Sequence, residues 1–414
     1  MTEAKTPGRR IIFLVFAGMG LSAALVPASL PLVADELGVA VPDVLGAVPA
    51  LFGGLLTGVM GAPLLVRSRP VTWVLCAGVL AQGTGLACFA LAPSAPLVVV
   101  AAGLVGLGFG ATEVTASASA RALARTATTA LLGRLMLVVA LTAASAPLAV
   151  LAAGHAGAGR LALLAATGYH LACAWRLIHD ASFRGSATPV PTPHRSALRR
   201  LPAGVVVALF LYVGVESILA GWSAVTVETT LGLDPSTAAI GTSAFWVLIS
   251  IGRLASPWVQ RHLRPARAVQ VCAAVQTVTL GAAIVAGPSG VTVAVVLALA
   301  VVACGPCYAI LLGHALTVVS DRAAPSATAV LIGVGAAGGA LIPLAATLAA
   351  RASGTRDAGA EGSAAAWIAL GAAALLLVAL ARTREHAGPP EPSEPVLSPR
   401  PDPTTVSPTT TRHP

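Results

Sequence analysis

Twelve apolar runs of about 20 residues each, parted by short stretches of charge, proline or glycine, make up nearly all of this 414-residue chain. That length is what an α-helix needs to cross the hydrocarbon core of a bilayer. Inside hydrocarbon the backbone has no water to bond, so a spanning segment must satisfy its own N–H and C=O groups, as a helix does. Only 10% of the residues are charged, where a soluble domain carries about 25%. A soluble globular protein is therefore excluded, and an all-α polytopic membrane protein follows.

The runs place spans at 11–34, 43–66, 71–92, 96–118, 132–153, 160–179, 203–227, 237–259, 267–286, 291–313, 324–350 and 363–382. An even number puts both termini on one side. The formal net charge of +9 invites a nucleic-acid reading, but the positions of the charges argue against it. Twenty-one of the 25 basic residues fall at the termini and in alternate loops, Arg160, Arg351 and Arg356 fall on the other side, and Arg253 lies within a span. By the excess of Arg and Lys on cytoplasmic loops, the Arg-rich side is cytoplasmic and holds both termini. The expected location is the cytoplasmic membrane. Lys5 is the only lysine, as the codon usage of a GC-rich bacterial genome would produce. The stretch from Lys5 to Val26 has signal-peptide features, but the apolar pattern continues through the chain and favours a first membrane helix.

Domain boundaries follow from the longest internal polar stretch. Residues 1–10 form a cytoplasmic N-terminus, 11–179 an N-terminal six-helix bundle, 180–202 a cytoplasmic central loop, 203–382 a C-terminal six-helix bundle and 383–414 a Pro-rich tail expected to be disordered. A shift of 195 positions superposes Gly46 on Gly241, Arg69 on Arg264 and Pro70 on Pro265. With one residue of slip, Cys76 meets Cys272 and Pro147 meets Pro343. Such a repeat implies two pseudo-symmetric bundles of the kind that secondary transporters use.

Three stretches sharpen this reading: Gly106-Leu107-Gly108-Phe109-Gly110-Ala111-Thr112-Glu113, Leu211-Tyr212-Val213-Gly214-Val215-Glu216 with Trp222, and Phe245-Trp246 followed by Gly252-Arg253-Leu254. With them the chain resembles the major facilitator superfamily, and within it the fucose:proton symporter-like branch. The resemblance implies alternating access, sugar-like symport and a proton-coupling role for Glu113. The chain contains no Asn, however, and reads Val114-Thr115-Ala116-Ser117 where sugar-transporting relatives place one soon after the acid. Proton-driven efflux of an amphipathic drug or metabolite is the alternative, and a non-transporting sensor or scaffold a remote one.

Charge within a span is costly, about 2.5–3.5 kcal/mol per residue near the bilayer centre, so intramembrane ionisable groups are functional candidates. Three remain within the spans: Glu113, Glu216 and Arg253. Gly106, Gly110, Glu113 and Ser117 share a helical face that lets neighbours approach and turns the acid into the bundle or a wet cavity. The alternative for Glu113 is a protonated acid bonded to an adjacent helix. Glu216 shares a face with Tyr212 and is either a cavity acid or a hydrogen-bonded packing residue. Arg253 is expected either in a gating ion pair or as a structural anchor reaching the cytoplasmic surface. Tyr212, Glu216, Trp222, Trp246, Gln82 and Gln276 are the candidate substrate-cavity residues.

Two soluble-protein motifs are set aside. Cys304-Gly305-Pro306-Cys307 matches a thioredoxin-type redox motif but interrupts an apolar span, where a kink is the better reading. Gly333-Val334-Gly335-Ala336-Ala337-Gly338 satisfies a dinucleotide fingerprint without a preceding strand and reads as close helix packing. His170 and His314 stand alone in their spans, so hydrogen-bonded packing is expected rather than metal ligation. No cofactor, metal or enzymatic activity is expected. The expected partners are the bilayer, a small organic solute and protons, with no nucleic acid, and the chain is expected to act as a monomer.

Overall fold

The computed structural model describes residues 7–124, 128–179, 201–286, 290–317, 324–352 and 358–385. The expected central loop up to residue 200 and the tail beyond residue 385 lie outside the described residues. In chain order the helices are α1 Pro7–Leu37, α2 Val41–Val44, α3 Ala47–Leu65, α4 Val71–Leu91, α5 Ala95–Ala124, α6 Thr128–His155 and α7 Arg160–His179. Then follow α8 Ala203–Gly221, α9 Ser223–Leu231, α10 Ile240–His262, α11 Pro265–Val285, α12 Gly290–Cys304, α13 Cys307–Thr317, α14 Ala324–Ala352 and α15 Ala358–Glu385. Among the described residues eleven segments are long and apolar enough to cross a membrane, and α15 contributes a shorter apolar stretch, Ala364–Leu380. These twelve segments coincide with the twelve expected spans to within a few residues at each end.

Three spans are broken, each for a local reason. The second begins with the short α2, where Pro42 sits in the first turn and needs no N–H partner. The seventh breaks at Trp222, whose backbone (φ −94°, ψ 1°) leaves the helical region between α8 and α9. The tenth breaks at Gly305-Pro306, because proline cannot donate to the helix ladder. The Cys-Gly-Pro-Cys stretch is thus a helix break, as its apolar setting predicts.

Helices α1 to α7 pack on one another and α8 to α15 on one another, and the two groups meet along α3 with α14 and along α6 with α10. Lipid tails are as apolar as the side chains, so association rests on close packing and internal hydrogen bonds. Glycine supplies the closeness. A methyl group on Gly106 would strike the Leu51 carbonyl, one on Gly110 the Leu55 carbonyl and one on Gly54 the Gly103 carbonyl, so α3 and α5 touch backbone to backbone over several turns. Gly108 and Gly78 bring α4 equally close to the opposite side of α5. The Gly333–Gly338 stretch also packs: Gly338 lies against the Phe210 carbonyl of α8, while Gly333 meets Met60 of α3.

One end of the molecule carries Arg67, Arg69, Arg176, Arg261, Arg264 and Arg267, and the other Asp35, Glu36, Asp43, Glu228 and Asp234. At this acidic end Arg160 is ion-paired with Glu36 and donates to the Ala90 carbonyl at 3.0 Å, tying α7 to α1 and α4. Asp234 accepts from the Ser236 and Thr237 backbone N–H groups and the Ser236 hydroxyl, capping the 3₁₀ turn before α10. These bonds hold its carboxyl well below the usual carboxylate range.

Candidate functional site

Glu113 lies on α5, whose backbone is held between α3 and α4 by the glycine contacts above. Its neighbour Thr112 is fully buried and accepts a 2.8 Å hydrogen bond from Gln82 Nε2 of α4. Glu113 itself is half-buried and forms no hydrogen bond or ion pair among the described residues. The expectation of an acid bonded to an adjacent helix has no partner here.

Glu216 and Arg253, on α8 and α10, are joined: Arg253 Nη2 donates to Glu216 Oε1 at 3.1 Å. The arginine side chain is 39% exposed and the glutamate 18%, so the pair sits at the edge of open space rather than sealed in a core. For Arg253 the structure contains an ion pair, which fits the gating and the structural expectation alike. Tyr212, one turn before Glu216, is fully buried with its hydroxyl unpartnered, among Glu216, Arg253, Cys304 and Cys307.

Tyr308, at the start of α13, lies within electrostatic reach of Glu113, Glu216 and Arg253 at once. The sequence reading overlooked it. The available signal was its place two residues after Pro306, at the start of the helix that follows the Gly305-Pro306 break.

The other candidates separate from this group. Gln82 is fully buried within the N-terminal bundle, and Gln276 likewise within the C-terminal one, donating to Cys307 Sγ at 3.8 Å. Thr112 and Cys307 are 195 positions apart and Gln82 and Gln276 are 194 apart, so the two bonds are near-counterparts in the repeat, and both carboxamides tie helices inside their own bundles. Trp222 is 4% exposed and lines an apolar cavity within the C-terminal bundle. Trp246 is half-buried and packs edge-on to Phe245, ring centroids 5.6 Å apart. His170 is a packing residue: Nδ1 donates to the Ala166 carbonyl at 2.7 Å, leaving Nε2 to accept from the Ser22 hydroxyl at 3.2 Å.

An acid without a counter-cation among the described residues thus stands in one bundle and a fixed ion pair in the other. A family model described as the Major Facilitator Superfamily matches residues 12–347. Among solved structures, a peptide transporter bound to sulfate is similar at 14% identity and a TM-score of 0.70, over 91% of this chain and 94% of that one. A D-xylose–proton symporter is similar at 13% identity and a TM-score of 0.68, over 90% and 96%. The E. coli fucose:proton symporter, from the branch that the motifs resemble, is similar at 15% identity and a TM-score of 0.57, over 91% and 98%. Among curated proteins no sequence matches the chain.

Proposed function

The chain belongs to the Major Facilitator Superfamily and is a membrane transporter rather than an enzyme, and from that premise we propose that it is proton-coupled and moves a small organic solute by alternating access. The observation that carries the proposal is the contrast between the two intramembrane acids. Glu216 has a counter-cation, whereas Glu113 has no partner among the described residues. A carboxyl without a counter-cation can exchange a proton without breaking an ion pair, and α5 holds it rigidly at the face of the bundle.

In this reading the proton binds at Glu113, and the solute's polar groups meet Tyr308, Glu216 and Arg253 across the interface. Tyr212 supports the pair from within the bundle, and Trp246 is a neighbouring wall. Proton loading changes the charge balance around Tyr308 and so biases the two bundle arrangements. Sugar-like symport is the first substrate class to test, supported by the motif resemblance and by a polar, ion-paired site. The Arg-rich end faces the cytoplasm of the cytoplasmic membrane, with both termini there, and the chain acts as a monomer.

Reconstitution in liposomes tests this directly. With a sugar, nucleoside, peptide and lipophilic-amine panel under an imposed pH gradient, the native chain accumulates a solute. Glu113→Gln retains counterflow of that solute but loses proton-driven accumulation. Unchanged accumulation in Glu113→Gln would remove this residue from coupling.

A further inference from the structure

Inside the C-terminal bundle, at its acidic end, lies a cavity of about 740 Å³ bounded by α8, α9, α10, α11, α12 and α15. It lies to one side of the Glu216–Arg253 pair, and the transport reading does not use it. Its origin is legible in the repeat. In the N-terminal bundle Gly106 of α5, against the Leu51 carbonyl, and Gly54 of α3, against the Gly103 carbonyl, let the two helices come into backbone contact. The positions 195 residues after Gly103 and Gly106 are Ala298 and Val301 of α12, and both line the cavity. The crossing closer to the other end is retained, since Gly252 lies against the Val302 carbonyl and Gly305 against the Gly252 backbone. Beyond that crossing α10 and α12 diverge, and the cavity occupies the space.

The walls decide what can enter. Phe245, Leu248, Leu297 and Val301 present hydrocarbon. Three of the four lining hydroxyls are already bonded: Ser223 donates to the Ala220 carbonyl and meets Thr242, Thr229 donates to the Val225 carbonyl and Thr230 to the Thr226 carbonyl, which leaves the Thr226 hydroxyl and the Trp222 indole N–H as the polar groups without a partner among the described residues. Water needs two to four polar partners to reside in a cavity, and these walls offer few. The volume falls within the roughly 300–1,000 Å³ of ordinary ligand sites. Leu231 and Ile240, 40% and 43% exposed, form a rim where an apolar chain can pass in without crossing a polar surface.

We propose that this cavity is a binding site for a single aliphatic chain, supplied by a membrane lipid or by an amphiphilic solute. It is specific to the C-terminal bundle, because Gly54 and Gly106, which let the N-terminal helices close, are replaced at the corresponding positions by Ile249 and Val301.

The test uses the full-length chain in lipid nanodiscs with a long-chain fatty acid carrying a terminal diazirine. After photolysis, peptide mass spectrometry is expected to find adducts concentrated at Trp222, Phe245 and Leu297. Ala298→Phe fills the cavity and is expected to lower labelling about tenfold, corresponding to about 1.4 kcal/mol of binding free energy. Ala366→Phe, from the α15 wall, gives the same reading should Ala298→Phe fail to fold. Val285→Phe, on the 86% exposed outer face of α11, keeps full labelling. Competition by unlabelled phosphatidylglycerol assigns the chain to lipid, and competition by dodecylamine assigns it to an amphiphilic solute. Adducts spread evenly over the outer faces of α11 and α15, or labelling unchanged in both filled variants, would overturn the site.

Discussion

The crossing of α3 with α5 and its repeat counterpart, α10 with α12, begin from one pattern and end as different structures. In the first, Gly54, Gly58, Gly106 and Gly110 bring the two backbones together, and the helices stay in contact along several turns. In the second, contact survives only around Gly252 and Gly305, and a cavity opens where Ala298 and Val301 stand. The polar groups differ in parallel. The first bundle keeps an acid with no counter-charge on a rigid helix, and the second keeps an acid with an arginine beside a broken helix. On the proposed function, the closely packed half carries the exchangeable proton and the half with the broken helices carries the ion pair, a division of labour suited to rocking bundles.

Substitution at the matched crossing positions tests this contrast most severely. Gly106→Leu forces a side chain into the Leu51 backbone. Overpacking costs about 1–3 kcal/mol and sometimes more, and the expected result is loss of monodisperse protein or a large fall in Tm in a thermal-shift assay. Val301→Leu, at the corresponding site beside the cavity, changes Tm little. Equal losses would erase the distinction between the two halves.

The charged groups come next. Arg253→Ala leaves Glu216 without its cation and is expected to cost about 1–3 kcal/mol, with Arg253→Ala/Glu216→Ala recovering part of that loss. Glu113→Gln removes no bond and stays within about 0.5 kcal/mol of the native chain by thermal shift, although coupling is lost. A large stability loss in Glu113→Gln would show a partner that the structure does not contain.

The paired carboxamides give a smaller effect. Gln82→Met deletes a 2.8 Å bond to an oxygen and is expected to cost about 1 kcal/mol. Gln276→Met deletes only a 3.8 Å contact to sulfur and is expected to be nearly neutral in the same assay.

Smallest is a pH effect at the acidic end. Glu228 is half-buried near Asp35 of α1, and burial, then that like charge, raise its pKa. A carboxyl raised on folding binds its proton more tightly in the native state, so stability is greatest at low pH. It falls as pH rises from the ordinary Glu value of about 4.3 through the raised one. Glu228→Gln is expected to flatten that part of the Tm–pH curve. Asp234 has the opposite sign, its contribution present at neutral pH and lost only as strong acid protonates it.

Much of the architecture was readable from residue types alone. Helix number and span positions follow from hydropathy, because hydrocarbon imposes a length and excludes charge. The break at Gly305-Pro306 follows from proline's missing N–H, and the close packing of Gly333 to Gly338 from the absence of side chains. The site was legible in its charged members, Glu113, Glu216 and Arg253, since an ionisable group in a span stands out in any composition. Its neutral members were not. Gln82 and Gln276 resemble cavity residues in a list of polar side chains, yet each points into its own bundle, and Tyr308 gave no periodic signal at all.

The sequence by itself determined an all-α membrane protein, its twelve apolar segments, its internal repeat and the three charges its spans keep. Those are consequences of solvent and period, which act on each segment separately. Only the tertiary structure decided that Arg253 pairs with Glu216 and that Glu113 stands alone. It also decided that two related crossings differ, one closed and one hollow. These depend on which helix faces which and on how near their backbones come, and a difference of a few methyl groups at that contact redirects the whole interface.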